Sequence, residues 1–223
     1  MARRLEREYG LPRHGNPDDP LDDLIFVLLS QMTTGPSYER VFSRLKVVPG
    51  GWERVSRMRP ATLAAFIKDA GLSNLKALRV LAILRRVRAD FGAITLRELR
   101  LLPDGEAEEY LVSLPGVGPK TAKCVLLYTL GRRALPVDTH LGRLALRLRL
   151  VSSKSDRAAQ HAQLESLVSP SDRYALHVGA LAHGRAVCRA RWPRCEVCVL
   201  ADLCPSSASA GRGRLLAAAF QSA

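Results

Sequence analysis

The chain has 223 residues, enough for one or two domains with a substantial hydrophobic core. Lysine and arginine number 34 against 21 aspartates and glutamates, and the net charge of +13 favours a polyanionic partner and salt-dependent binding. Aromatic residues make up only 5%, which argues against a stacking platform for single strands.

In chain order, Met1-Ala2-Arg3-Arg4 opens a charged segment without secretory character. The apolar run from Leu24 to Leu29 is far too short to cross a bilayer, so no membrane partner is expected. In the cytoplasmic location that follows, cysteines serve as metal ligands or free thiols more often than as disulfides. Asp19-Pro20 reads as an N-cap followed by proline at the first helical position, with Asp22 and Asp23 near the positive helix end. The helix behind it carries Leu21, Leu24, Ile25, Leu28, Leu29 and Met32, and is expected to be largely buried. Residues 60–70 form a second helix capped by Gly71. The spacing of Ala77, Val80, Leu81, Leu84, Val87 and Phe91 predicts a helix over 75–91, with Arg79 and Arg86 on its polar face. Further helices are expected over 106–113, 120–130, 139–149, 156–168 and 172–182. No strand alternation is found, so the fold class is all-α. After Pro205 the chain turns rich in Ser, Ala, Gly and Arg, and is expected to fray.

Three segments carry chemistry. In Leu114-Pro115-Gly116-Val117-Gly118-Pro119-Lys120, the glycines allow a tight turn and Pro119 suits the first position of a helix. The unpaired amides of such a helix start make a site for a phosphate oxygen, and Val117 is expected to aim its amide there. Lys120 in the first turn is a candidate nucleophile, its bland alternative being a solvated lysine or a phosphate contact. Asp138, within Val137-Asp138-Thr139-His140, is an ordinary N-cap on its own. A carboxylate held that rigidly can also stabilise positive charge developing nearby or move a proton. His140 is read as structural and Cys124 as a small buried side chain.

Cys188, Cys195, Cys198 and Cys204 are spaced C-x6-C-x2-C-x5-C. Four thiolates this close can reach one compact metal centre. Tetrahedral zinc and a [4Fe–4S] cluster both take four cysteines, and spacing alone leaves the two even. Arg185, Arg189, Arg191 and Arg194 crowd the same loop and could offer guanidinium groups to phosphates. Two of the few aromatics, Trp192 and Phe220, fall in the loop and near the tail.

Taken together, the hairpin with Lys120, the Val-Asp-Thr-His segment and the cysteine loop resemble the endonuclease III family of helix-hairpin-helix DNA glycosylases/AP lyases. The resemblance runs from about Pro20 to Cys204. It implies a six-helix barrel-like domain over 20–132, and a discontinuous helical iron–sulfur cluster domain over 1–19 and 133–223, with an active cleft between them. It implies Lys120 and Asp138 as the catalytic pair and a [4Fe–4S] cluster on the four cysteines. The implied DNA contacts are Gly116, Val117 and Gly118, Leu72 as an apolar wedge, Gln31 and Met32 where the family has a hole-filling glutamine, and Arg189 and Arg191. The expected partner is double-stranded DNA with damaged bases or abasic sites, bound by a monomer, nucleoid-associated in a bacterium.

The expected activity is removal of oxidised pyrimidines through a lysine Schiff base, followed by β-elimination. This chain departs from the family where Ser30-Gln31-Met32 replaces Ser-Ala-Gln and Ser73 replaces a bulky aromatic, which leaves lesion and opposite-base preference open. A glycosylase for mismatched thymine, uracil or another lesion, a non-catalytic DNA-structure binder, and a zinc-stapled RNA-binding module are the alternatives. Leu72 also has a bland reading, a capping contact under a helix end.

Overall fold

The computed structural model describes residues 1–33, 36–152, 154 and 156–207. Phe220 and the tail expected to fray lie outside these residues. The first five helices are α1 (Ala2–Tyr9), α2 (Pro20–Ser30), α3 (Ser37–Lys46), α4 (Gly51–Ser56) and α5 (Pro60–Phe66). They are followed by α6 (Ser73–Phe91), α7 (Asp104–Ser113), α8 (Pro119–Tyr128), α9 (Thr139–Arg147), α10 (Arg157–Leu167) and α11 (Arg173–Ala186). Short 3-10 turns link several of them, and no strand occurs among the described residues. The all-α expectation therefore stands, and no described helix is long and apolar enough to cross a membrane.

The chain divides into two compact units. One is Gly15–Arg132, with α2 as its buried axis. Asp19 opens α2 by accepting the N–H groups of Leu21 and Asp22 at 3.1 and 3.3 Å. Leu21, Leu24, Ile25, Leu28 and Leu29 are all buried, each stabilising the fold by about 1.5–3 kcal/mol relative to exposure. Helices α3, α6 and α8 pack on α2, and α7 packs on α8 to make the hairpin pair. Edge-to-face contacts join Phe26 to Tyr38 and Phe42, while Trp52 Nε1 donates to Asp22 at 2.7 Å.

The other unit combines Met1–His14 with the chain from Arg133 onward. Its core includes Leu5, Leu135, Leu141, Leu144, Leu164, Leu176 and Ala180. Helix α1 packs on α11 at Gly179, where a Cβ would come within 2.8 Å of Leu5 Cβ. Helix α9 packs on the same helix at Gly184, against the His140 ring.

The structure differs from the sequence reading at several elements. Helices α1, α3 and α4 were not anticipated from periodicity. In α1 only Leu5 is buried, so one apolar residue among charges leaves no stripe to read. Helix α5 ends at Phe66, and residues 68–70 tighten into a 3-10 turn before Gly71. Helix α6 starts two residues earlier than its apolar spacing suggests, at Ser73.

Candidate active site and cysteine loop

Gly116 builds the hairpin turn. Its φ of +78° suits glycine, and a Cβ there would sit 2.5 Å from the Arg79 side chain. The turn closes with the Val117 N–H donating to Leu114 O at 3.1 Å, and the Val117 side chain is only 5% exposed. This corrects the expectation for Val117: a tight turn consumes the amide of its fourth residue, so that amide serves the turn and not a phosphate. Gly118 is extended, at φ −102°, and caps α8, with open space where a Cβ would stand. Behind it Pro119 and Lys120 occupy the first two positions of α8. Pro119 has no N–H, and the Thr121 and Ala122 N–H groups bond Gly118 O at 2.9 and 3.0 Å, so the Gly118 and Lys120 amides are the ones at this helix start left to meet an anion.

Lys120 is half-buried. Its charge reaches Asp23, a fully buried carboxyl on α2. Burial pushes the Asp23 carboxyl up to about 6, against the opposing pull of hydrogen bonds from Asn16 and Thr129 and of the Lys120 charge. Next to Lys120, Thr121 Oγ1 accepts a bond of 3.2 Å from Gln31 Nε2. Gln31 is therefore turned towards α8, and it is Met32 that stands out, 87% exposed at φ +52°.

Leu72 is the second exposed tip. It caps α6 at φ +47° and is 55% exposed, so it is not tucked under the helix end. A left-handed conformation costs a non-glycine residue about 1–2 kcal/mol, and Met32 and Leu72 both bear that strain. Between them lies Lys76, 2% exposed, whose Nζ donates to Leu29 O and Ala70 O at 2.7 Å and to Thr33 Oγ1 at 2.8 Å. Burial pulls the Lys76 ammonium down to about 8.

In the other unit, Asp138 is the N-cap of α9. Its Oδ1 accepts the N–H groups of His140 and Leu141 at 2.9 and 2.8 Å, so the cap occupies one carboxylate oxygen. His140 packs on Gly184 and its Nδ1 lies 3.1 Å from Arg143 Nη2. Burial holds its pKa below the usual histidine range. An arginine N–H aimed at Nδ1 makes that nitrogen an acceptor, which fits a neutral structural imidazole.

Cys188, Cys195, Cys198 and Cys204 line one cavity of about 30 Å³, walled on one side by Leu144 and Leu148. Arg147 Nη1 donates to Cys188 Sγ at 3.1 Å and to Arg189 O at 2.8 Å. Its Nη2 donates to Ala190 O at 3.1 Å, and Arg143 holds Cys188 O at 2.9 Å. His183 Nε2 lies 3.3 Å from Cys198 Sγ, its Nδ1 being engaged with the Tyr9 hydroxyl at 2.9 Å. The Arg147 guanidinium suits a ligating thiolate at Cys188, whereas burial pushes the Cys198 thiol up. Among the described residues, no group of three or more His, Cys, Asp or Glu side chains is placed to hold a single metal ion. Arg189, Arg191 and Trp192 are exposed on the loop, Trp192 at φ +55° and 88% exposed.

Sequence reasoning missed Lys76, Arg143, Arg147 and His183, and read Asp23 only as a charge near a helix start, not as a buried carboxyl. Lys76 had a signal: it falls in register with Val80, Ile83 and Val87 on the apolar face of α6, a place where lysine needs a reason. Arg143 and Arg147 are four apart, a spacing that puts both on one helix face, but nothing in it says what they face.

An all-helical fold with a glycine turn opening a lysine-bearing helix defines the helix-hairpin-helix class. The model of the HhH-GPD superfamily of base excision DNA repair proteins matches residues 25–170. Endonuclease III of Thermotoga maritima is 31% identical over 216 residues, covering 96% of this chain and 95% of that protein. A DNA glycosylase homologue of Arabidopsis thaliana is 33% identical over 165 residues, or 74% of this chain, which spans 56% of its length. A solved structure of endonuclease III in a non-covalent complex with DNA superposes with a TM-score of 0.81 at 24% identity, covering 95% of both chains. The chain belongs to the endonuclease III family within the HhH-GPD superfamily.

Proposed function

We propose that this protein is a DNA glycosylase with AP lyase activity in base excision repair, acting as a monomer on damaged double-stranded DNA. The observation that carries this reading is Lys120 at the second position of α8, directly behind a glycine turn with an open, anion-accepting face. A backbone phosphate gripped at the hairpin leaves the amine one helical position away from the nucleic acid. Oxidised pyrimidines are the proposed substrate class, as the resemblance of the three sequence segments to the endonuclease III family implies.

The target base leaves the stack, at a cost of about a few kcal/mol that is smaller for a damaged base. Lys120 Nζ, having given up a proton to a general base, attacks C1′ of the sugar. The C1′–N bond breaks, and the base leaves with the electron pair and takes up a proton. Ring opening gives a Schiff base between C1′ and Nζ. Loss of a C2′ proton then expels the 3′ phosphate and cuts the strand. Asp138, fixed by its two cap bonds through Oδ1, would be the second catalytic group, a carboxylate able to stabilise developing positive charge or accept a proton.

Cys188, Cys195, Cys198 and Cys204 would hold a [4Fe–4S] cluster, which supplies a structural staple for the loop carrying Arg189 and Arg191. Four thiols around one cavity, with Arg147 and His183 beside two of the sulfurs, support that assignment. Purified protein should contain iron and sulfide and show a broad visible band that Cys198→Ser weakens. Zinc without iron would overturn it.

Duplexes bearing thymine glycol, uracil, a mismatched thymine or an abasic site test the activity. Nicking at thymine glycol and at abasic sites, abolished in Lys120→Gln, is expected. Base release without nicking would replace this reading with a monofunctional glycosylase. Tight binding without any product would replace it with a DNA-structure binder.

A further inference from the structure

We propose that Lys76 is a positioning residue that presents Met32 and Leu72 as one preformed, two-tipped apolar wedge for the DNA base stack. The inference rests on the reading of the protein as a glycosylase that opens duplex DNA.

An ammonium group has three N–H donors, and Lys76 spends all three inside the protein. They go to Leu29 O at 2.7 Å, to Ala70 O at 2.7 Å and to Thr33 Oγ1 at 2.8 Å. Leu29 stands in the last turn of α2, three residues before Met32. Ala70 ends the 3-10 turn, two residues before Leu72. One buried cation thus ties together the two loops that carry the exposed apolar tips. Thr33 doubles the tie, its hydroxyl lying within bonding distance of both Leu29 O and Ala70 O. The loops are in contact beyond these bonds: a Cβ on Gly71 would stand 3.8 Å from Met32 O.

The arrangement is costly unless it serves something. A buried charge is far less favourable than an apolar side chain of similar size in the same place. The two residues it presents are both left-handed and both exposed, Met32 at 87% and Leu72 at 55%. Strain of this kind persists where the surroundings over-determine it and function uses it. Apolar side chains pushed between base steps unstack them and kink the duplex, and a rigid pair does so without losing loop entropy on insertion.

Met32 gives the wedge a chemical character. A thioether packs against any base and makes at most a weak hydrogen bond. Gln31, the neighbour that could read a base, is held by Thr121. The tip at Met32 is therefore indifferent to the base opposite the lesion.

The test is single-turnover base release from a thymine glycol duplex, beside strand cleavage at a preformed abasic site. With Lys76→Met, base release is expected to fall on the order of 10²-fold, as misplacement of positioning groups by about an ångström does. Cleavage at the abasic site, where no base must be extruded, should stay close to wild type. In a Met32→Gly/Leu72→Gly background, Lys76→Met should add little, because it acts through the tips. An equal loss in both backgrounds, or an equal loss on both substrates, would overturn the proposal. If Lys76→Met does not fold, Thr33→Val carries the same cycle with a smaller effect. Wild-type rates should be alike with A, G, C or T opposite the lesion, and a strong preference would contradict the role of Met32. A wild type without cleavage at abasic sites would sink the parent reading. An active wild type that Lys76→Met leaves unchanged would sink only this one.

Discussion

Asp138 and Asp23 are carboxylates at the starts of helices, and their surroundings set them apart. Asp138 caps α9 with Oδ1 and remains partly exposed. Asparagine caps a helix about as well as aspartate, so Asp138→Asn should leave the melting temperature nearly unchanged. Single-turnover base release should nevertheless fall by about 10²–10⁴-fold, the usual contribution of a positioned acid–base group. A variant as fast as wild type would leave Asp138 a cap and nothing more. Asp23 is fully buried, and burial raises its pKa from 3.8 to about 6. The folded state therefore binds more protons than the unfolded one between those values. The stability Asp23 contributes as a neutral acid is complete below about 3.8 and is lost as pH rises through about 6. Asp23→Asn stays neutral throughout, so at pH 7 it should be more stable than wild type, by at most about 3 kcal/mol. Denaturation at pH 4 and pH 7 checks this, and parallel behaviour of the two proteins would refute the burial argument.

Among the elements, the α7–α8 hairpin was the most legible in sequence, because glycine and proline punctuate it and each has a conformational reason to be there. Gly116 bears that out with its positive φ, while Val117 does not, since its amide closes the turn. Gly116→Ala should cost about 1–2 kcal/mol from backbone strain, and more from the Arg79 contact. Duplex binding should weaken alike for every sequence. Adding Arg79→Ala should recover the contact portion only. Unchanged binding by Gly116→Ala would move the phosphate grip away from this turn. Helices α1, α3 and α4 escaped notice because short, charged helices leave few apolar positions to count. The loop ends at Met32 and Leu72 were marked by their residue types, but their left-handed backbones and their tie through Lys76 are tertiary facts. Bonds from Lys76 to the Leu29 carbonyl and the Thr33 hydroxyl, 47 and 43 residues away, or to the Ala70 carbonyl six residues away, leave no periodic trace.

At the scale of the whole molecule, the net charge of +13 was legible at once and its distribution was not. Composition gives a polyanion as partner; only the structure shows Arg189 and Arg191 exposed, while Arg143 and Arg147 turn inward to hold the cysteine loop. The observed units, Gly15–Arg132 and the remainder, interleave in sequence, and helical periodicity contains no information about which segments join. Binding to undamaged duplex should fall with salt at a log–log slope of about −0.9 per phosphate contacted. Arg189→Ala with Arg191→Ala should reduce that slope by about 2 without changing the melting temperature. An unchanged slope would place these arginines off the DNA.

The most direct measurement is borohydride trapping on a duplex with an abasic site, comparing wild type with Lys120→Gln. A covalent protein–DNA adduct with the wild type and none with the variant is the expected result, since only an imine at Lys120 Nζ is reducible in this scheme. An adduct that persists in Lys120→Gln would move the nucleophile elsewhere. No adduct from either protein, with binding intact, would contradict the Schiff-base account altogether.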